Sequence, residues 1–212
     1  MKYSPRIRPL VENYLPALLW AFFAMTSPGP IVANMIQDLT LLSWHNIGTV
    51  VHLLNYSLVV IFFFVRTPQR ETSFAPFAVA AAFGGTFGPL LMHAVPGGWN
   101  HPIPIVMQLI GGVCAFFSLL SLNTSFGILP SDRGTKTVGA FRVVRHPLYA
   151  SYLLANIGFL LSNTDLSNIS VVGFVSILQI GRLNYEEQLL KKHPEYQEYS
   201  KEVRWRLIPG VY

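Results

Sequence analysis

All fifteen lysines and arginines of this 212-residue chain fall in four places, and apolar stretches of near-membrane length separate those places. Lys2, Arg6 and Arg8 come first, then Arg66 and Arg70. Arg133, Lys136, Arg142 and Arg145 form the third group, and Arg182, Lys191, Lys192, Lys201, Arg204 and Arg206 the last. Between them lie six candidate spans: Val11–Gln37, Ser43–Val65, Phe74–Val95, Ile103–Phe126, Pro147–Ser162 and Asn168–Leu190. Each approaches the ~20 residues that a ~30 Å hydrocarbon core requires. The alternate connections, Asp38–Leu42, Pro96–Pro102 and Asn163–Ser167, contain no Lys or Arg. A one-sided distribution of this kind follows the positive-inside rule. The expected fold is therefore all-α, a polytopic membrane helix bundle of about six transmembrane helices with both termini cytosolic. The number is five if Pro28 and Pro30 make the first span re-entrant.

Composition agrees with an apolar solvent. Hydrophobic residues make up 51% of the chain and charged residues only 12%, against roughly 25% charged in an average soluble domain. The net charge of +5 is scattered between apolar runs and forms no basic helix, which argues against nucleic acid as a partner. Membrane lipid is the expected surrounding partner. The single cysteine, Cys114, permits no internal disulfide and no Cys-rich metal site, so no metal is expected. Met1–Thr26 has the order of charges and apolar residues of a signal peptide. Ser27-Pro-Gly-Pro30 is a poor cleavage site, and the stretch reads as a retained first span. Trp44 and Trp99 stand where interfacial rings are favoured. No repeat or second domain is visible, so residues 1–212 read as one membrane domain. Within it, residues 1–126 form a four-helix part, and 127–212 a cytosol-facing part of loop, two helices and tail. Gly84, Gly85, Gly88, Gly111 and Gly112 lie inside apolar runs with no preceding strand. They read as close helix-packing positions rather than a nucleotide loop.

Chemistry concentrates in that last part. In Arg145-His146-Pro147-Leu-Tyr149, the proline suits a first helical turn and sets Arg145 and His146 at the helix entrance. Tyr149 lies three residues beyond His146 and can share its face. In the last span, a helix from Asn168 to Arg182 rises about 21 Å, short of the ~30 Å core, so Arg182 is expected within the membrane. Glu186, four residues on, can pair with it, and Glu187 follows. Together these predict a polar pocket at the cytosolic boundary. His45, His52 and His93 read as packed or hydrogen-bonded histidines, and no Gly-x-Ser-x-Gly motif supports a Ser/His/Asp triad.

The run Gly139-Ala-Phe-Arg-Val-Val-Arg145-His146-Pro147-Leu-Tyr149 is followed across one helix by Glu186-Glu187, then Tyr196, Tyr199 and Arg206-Leu-Ile-Pro209. Over roughly the last 90 residues this order resembles the isoprenylcysteine carboxyl methyltransferase and phospholipid N-methyltransferase superfamily. The resemblance implies methyl transfer from S-adenosyl-L-methionine to a lipophilic small molecule or lipid. It implies that His146, Tyr149, Glu186 and Glu187 line the cofactor pocket. Arg145 and Arg182 would serve anionic groups, and Arg145, Arg182 and Glu186 would take part in catalysis. Leu-Tyr-Ala-Ser after the proline and the long Ser125–Lys136 loop depart from the enzymes of prenylated proteins. Two other readings stand beside this one. The sterol reductases, which bind NADPH, share an Arg-His-Pro-x-Tyr and a similar tail. A small transporter would instead carry charges along a path through the bilayer.

Overall fold

The computed structural model describes residues 54–55, 57–62, 64–98 and 101–212. The expected first span, the Asp38–Leu42 connection, Trp44, Trp99, His45, His52 and the first three basic residues lie outside these, as does most of the second span. Residues 54–65 are helical at every described position.

The described part is mostly helical. Five helices are complete: α1 Pro76–Phe87, α2 Pro102–Leu122, α3 Pro147–Ser162, α4 Leu166–Leu190 and α5 Pro194–Glu202. Four of them begin on proline, three as His-Pro. Proline suits that position because the first helical N–H has no partner in the helix and φ is already set. α4 is capped instead by Asp165, which stands just before its first residue and whose carboxylate accepts from the Asn168 N–H at 2.7 Å. Inside the apolar helices, Ser118, Ser151 and Ser176 return their hydroxyls to the carbonyl four residues back, so these three hydroxyls are not left unmet in an apolar surrounding.

Two segments, Pro102–Ser125 and Leu166–Leu190, are long and apolar enough to cross a membrane. Pro147–Ser162 and Pro76–Leu91 are shorter apolar helices. The third span, expected to reach Val95, leaves α geometry after Phe87, makes one 3-10 turn over Gly88–Leu91 and is extended from Met92. Pro89 contributes no N–H to continue the ladder.

Small residues set the packing. A Cβ on Gly111 would stand 2.8 Å from the Ala155 amide nitrogen and the Ser151 carbonyl, and one on Gly158 would stand 2.8 Å from the Pro104 carbonyl. α2 and α3 therefore meet backbone to backbone. Gly85 of α1 lies against Gln179 of α4, making a second close pair. α3 and α4 touch over a shorter stretch, and a cavity opens between the two pairs.

The connections sort to opposite ends of α3. At its start, β1 (Glu71–Thr72) pairs antiparallel with β2 (Ser131–Asp132), with Glu71 opposite Asp132. Arg70 pairs with Glu195 at 2.8 Å, Lys192 with Glu71 at 2.5 Å, and His193 with Asp132 at 2.9 Å. The basic segments that follow the second, fourth and sixth expected spans thus meet at one end. At the other end, the Val95 amide donates to Asn163 at 3.0 Å and Asn168 exchanges two hydrogen bonds with the His93 backbone.

Candidate functional site

The site grows from the His-Pro start of α3. The amides of Arg145 and His146 donate to the carbonyls of Trp205 and Arg206, each at 2.9 Å, so the tail runs beside the helix entrance. The Arg145 guanidinium holds the same tail through the carbonyls of Val203 (2.9 Å) and Arg204 (2.7 Å). Its Nε reaches Glu187 Oε1 at 2.8 Å and its Nη2 lies 3.4 Å from Oε2. Arg145 is 8% exposed and Glu187 2%.

Glu187 is a hub. Besides Arg145, its Oε1 accepts from His146 Nε2 at 2.9 Å and from the Tyr196 hydroxyl at 2.6 Å. Lys191 Nζ and Arg206 Nε lie 3.3 and 3.7 Å from Oε2. A carboxylate surrounded by cations and donors is suited to holding segments together. Burial works against the Arg145 charge, but the hydrogen-bonded Glu187 more than offsets it and holds the guanidinium more firmly protonated than usual. Burial, with the neighbouring carboxylate, pushes the Tyr196 hydroxyl well above its ordinary pKa, and burial does the same to Tyr199, which donates to the Phe141 carbonyl at 2.7 Å.

The adjacent Glu186 points another way. Successive helical residues differ in direction by about 100°, and Glu186 borders the cavity of about 280 Å³ whereas Glu187 does not. That volume is near the lower end of the ~300–1,000 Å³ usual for ligand pockets. Glu186 Oε1 lies 3.6 Å from Arg182 Nε, and Oε2 lies 4.0 Å from His146 Nδ1. The other Arg182 nitrogens donate to Thr86 Oγ1 at 3.2 Å and the Gly127 carbonyl at 2.8 Å, while Nε is buried without a hydrogen bond. The guanidinium also sits 5.3 Å over the Tyr149 ring, a cation–π distance. Tyr149 in turn meets the His146 ring edge on, at 5.7 Å.

His146 thus bridges the two glutamates. Glu187, paired with a guanidinium, only accepts hydrogen bonds, so the bonded Nε2 carries the proton. In the neutral ring this leaves a lone pair on Nδ1, toward Glu186 and the cavity.

Five of the six expected site residues, Arg145, His146, Tyr149, Arg182 and Glu186, border this single cavity, and Glu187 stands directly behind His146 and Arg145. The Arg145 donors, however, are largely committed to Glu187 and the tail. Sequence reasoning missed the deeper part, where Tyr152 and Asn156 of α3 face the cavity together with Gln179 of α4. A signal was present. Tyr149, Tyr152 and Asn156 on one helix, and Gln179, Arg182 and Glu186 on the other, are spaced by three and four residues inside apolar sequence, which is one polar face on each. Among the described residues no group of three metal-ligating side chains occurs.

Comparison with protein-family models finds no match for the chain, and comparison with curated protein sequences finds none either.

Proposed function

We propose that this chain is a multi-pass integral membrane methyltransferase that uses S-adenosyl-L-methionine to methylate a lipophilic acceptor at the cytosolic boundary of the bilayer. The observation that carries the reading is the placing of Arg182, Glu186, His146 and Tyr149 around one cavity between apolar helices. The resemblance over the last 90 residues supplies the chemistry, and the gathering of basic segments at that end agrees with a cytosolic mouth.

The residues fit such a cofactor. Its carboxylate needs a cation with a donor to spare, and the Arg182 Nε is buried without a hydrogen bond. Its ammonium and sulfonium need an anion, and Glu186 offers carboxylate oxygens to the cavity. When bound, the cofactor supplies a methyl group as an electrophile on sulfur. Arg182, braced by Thr86 and Gly127, orients the carboxylate end, and Glu186 favours the cationic part. The apolar walls exclude water and hold donor and acceptor in line. An acceptor that must lose a proton finds one base in His146 Nδ1, held in that tautomer by Glu187 on the far side of the ring. A carboxylate acceptor needs none. In this reading Arg145 and Glu187 are positioning residues.

Purified protein in detergent is expected to bind S-adenosylmethionine and not NADPH in calorimetry. Glu186→Ala should weaken that binding at least tenfold while the fold stays intact, with a smaller fall in melting temperature than Glu187→Ala. NADPH binding in place of S-adenosylmethionine would replace this reading with the reductase one. Unaltered S-adenosylmethionine affinity in Glu186→Ala would place the cofactor elsewhere.

A further inference from the structure

The deep half of the cavity differs in kind from its mouth. The mouth carries charge; the deep half is walled by Gly85, Gly111, Gly112, Ala115 and Ala155, small residues that leave width between the helices. Among the few polar groups of this part, which include Asn55, Tyr152 and Asn156, α4 places a primary amide, Gln179. It stands eleven residues from the Leu190 end of α4 and so about 16 Å along the helix, three residues deeper than Arg182.

The orientation of that amide is fixed. Gln179 Nε2 donates to the Gly85 carbonyl at 3.1 Å, which can only accept, so the other end of the group is the carbonyl oxygen. That Oε1 is buried and has no hydrogen-bond partner among the described residues. A buried acceptor left unmet is unfavourable, most of all in an apolar surrounding, and native structures satisfy nearly all of them. The Asn156 amide borders the same region from α3, and both residues also line a small recess of about 30 Å³ beside it.

We infer that the acceptor of the proposed transfer is an uncharged lipophile carrying a hydrogen-bond donor, a hydroxyl or an N–H, that is received by Gln179 Oε1 in the deep half of the cavity. This rests on the methyltransferase reading for the word acceptor, but the recognition itself follows from the geometry. A lipophile with a carboxylate at that depth would set its negative charge against an unmet carbonyl oxygen, while the nearest wall cation, Arg182, lies three residues nearer the mouth with its spare Nε on the Glu186 side. An ether or ester of the same shape would leave Oε1 unmet. Selection against an analogue that lacks a hydrogen-bonding group is characteristically strong when a buried partner is left empty.

The test uses three probes of one shape, 4-nonylphenol, 4-nonylanisole and 4-nonylbenzoate, against the full chain in detergent, with radiolabelled 4-nonylphenol displaced by each. The phenol is expected to compete at least tenfold better than the other two. Gln179→Met should bring the phenol and the anisole within about threefold of each other while leaving S-adenosylmethionine affinity unchanged. The comparison on the unaltered protein decides the matter even if the variant fails to fold. Equal competition by phenol and anisole, or better competition by the benzoate, overturns the inference. If the phenol preference holds but S-adenosylmethionine does not bind, the methyltransferase reading falls and the donor-selective site stands. If S-adenosylmethionine binds and the preference is absent, the reverse is true.

Discussion

Replacing Glu187 with alanine removes the acceptor shared by Arg145 Nε at 2.8 Å, His146 Nε2 at 2.9 Å and the Tyr196 hydroxyl at 2.6 Å. It leaves the Arg145 guanidinium, 8% exposed, without its counter-ion. Removing one partner of a buried pair costs about 3–5 kcal/mol, because the remaining charge is desolvated and uncompensated. Lys191 and Arg206 reach solvent, with side chains 49% and 26% exposed, and their loss of Glu187 adds at most about 1 kcal/mol. For a chain of this size, 1 kcal/mol moves the melting midpoint by about 2–4 °C, so about 4 kcal/mol corresponds to a fall of about 8–16 °C. The assay is thermal unfolding in detergent followed by circular dichroism. Trp205 fluorescence serves as a local reporter, since the Trp205 carbonyl receives the Arg145 amide. Glu187→Gln, which keeps shape and loses charge, should fall between the two. Pairing Glu187→Leu with Arg145→Met should recover part of the loss, because apolar replacement of a whole buried pair is often neutral. A midpoint for Glu187→Ala within about 3 °C of the unaltered protein, or no lower than that of Glu186→Ala, would refute the assignment of Glu187 as the hub.

Glycine positions give a second, opposed pair of outcomes. Gly111→Val should destabilise by about 1–3 kcal/mol, since its Cβ would meet α3 backbone at 2.8 Å. Gly173→Ala, with nothing within 4 Å of the added carbon, should hold or raise the melting midpoint because alanine is the better helix former. The tyrosines set an alkaline limit. Both hydroxyls have folded pKa values above the usual 10, so the fold keeps protons that the unfolded chain loses. Their contribution is complete below about pH 10 and declines above it, by up to about 1.4 kcal/mol per pH unit for each group. Melting midpoints from pH 8 to 12 should be flat and then fall, and Tyr199→Phe should fall less steeply. An equal slope in that variant would contradict the account.

Local signals were the readable ones. The limits of α3, Pro147–Ser162, coincide with expectation because proline opens the helix and Asn163 closes it, both within one turn of the boundary. α4 ends at Leu190 as expected, but starts at Leu166 rather than Asn168, since Asp165 caps it. Where the outcome depended on distant residues, the sequence was silent. Glu186 and Glu187 are both expected to line the cofactor pocket, and the separation between them comes from Tyr196 and the tail, which close over Glu187 and leave Glu186 facing the cavity. Arg145 read as an anion ligand for the same reason, because its partners at Val203 and Arg204 are 58 and 59 residues away. The Gln179 orphan was invisible because it depends on which carbonyl of α1 lies opposite.

The clasp between Arg145 and the tail also imposes an order of events in time. Arg145 leaves the ribosome 59 residues before Arg204, and at roughly 5–20 residues per second that is an interval of about 3–12 s. During those seconds α3 and then α4 emerge, while the guanidinium and the imidazole beside it still face water or lipid headgroups. The entrance to the cavity is therefore finished after the helices that wall it, and a stall or cleavage between α4 and Val203 would leave those helices around a mouth that cannot close.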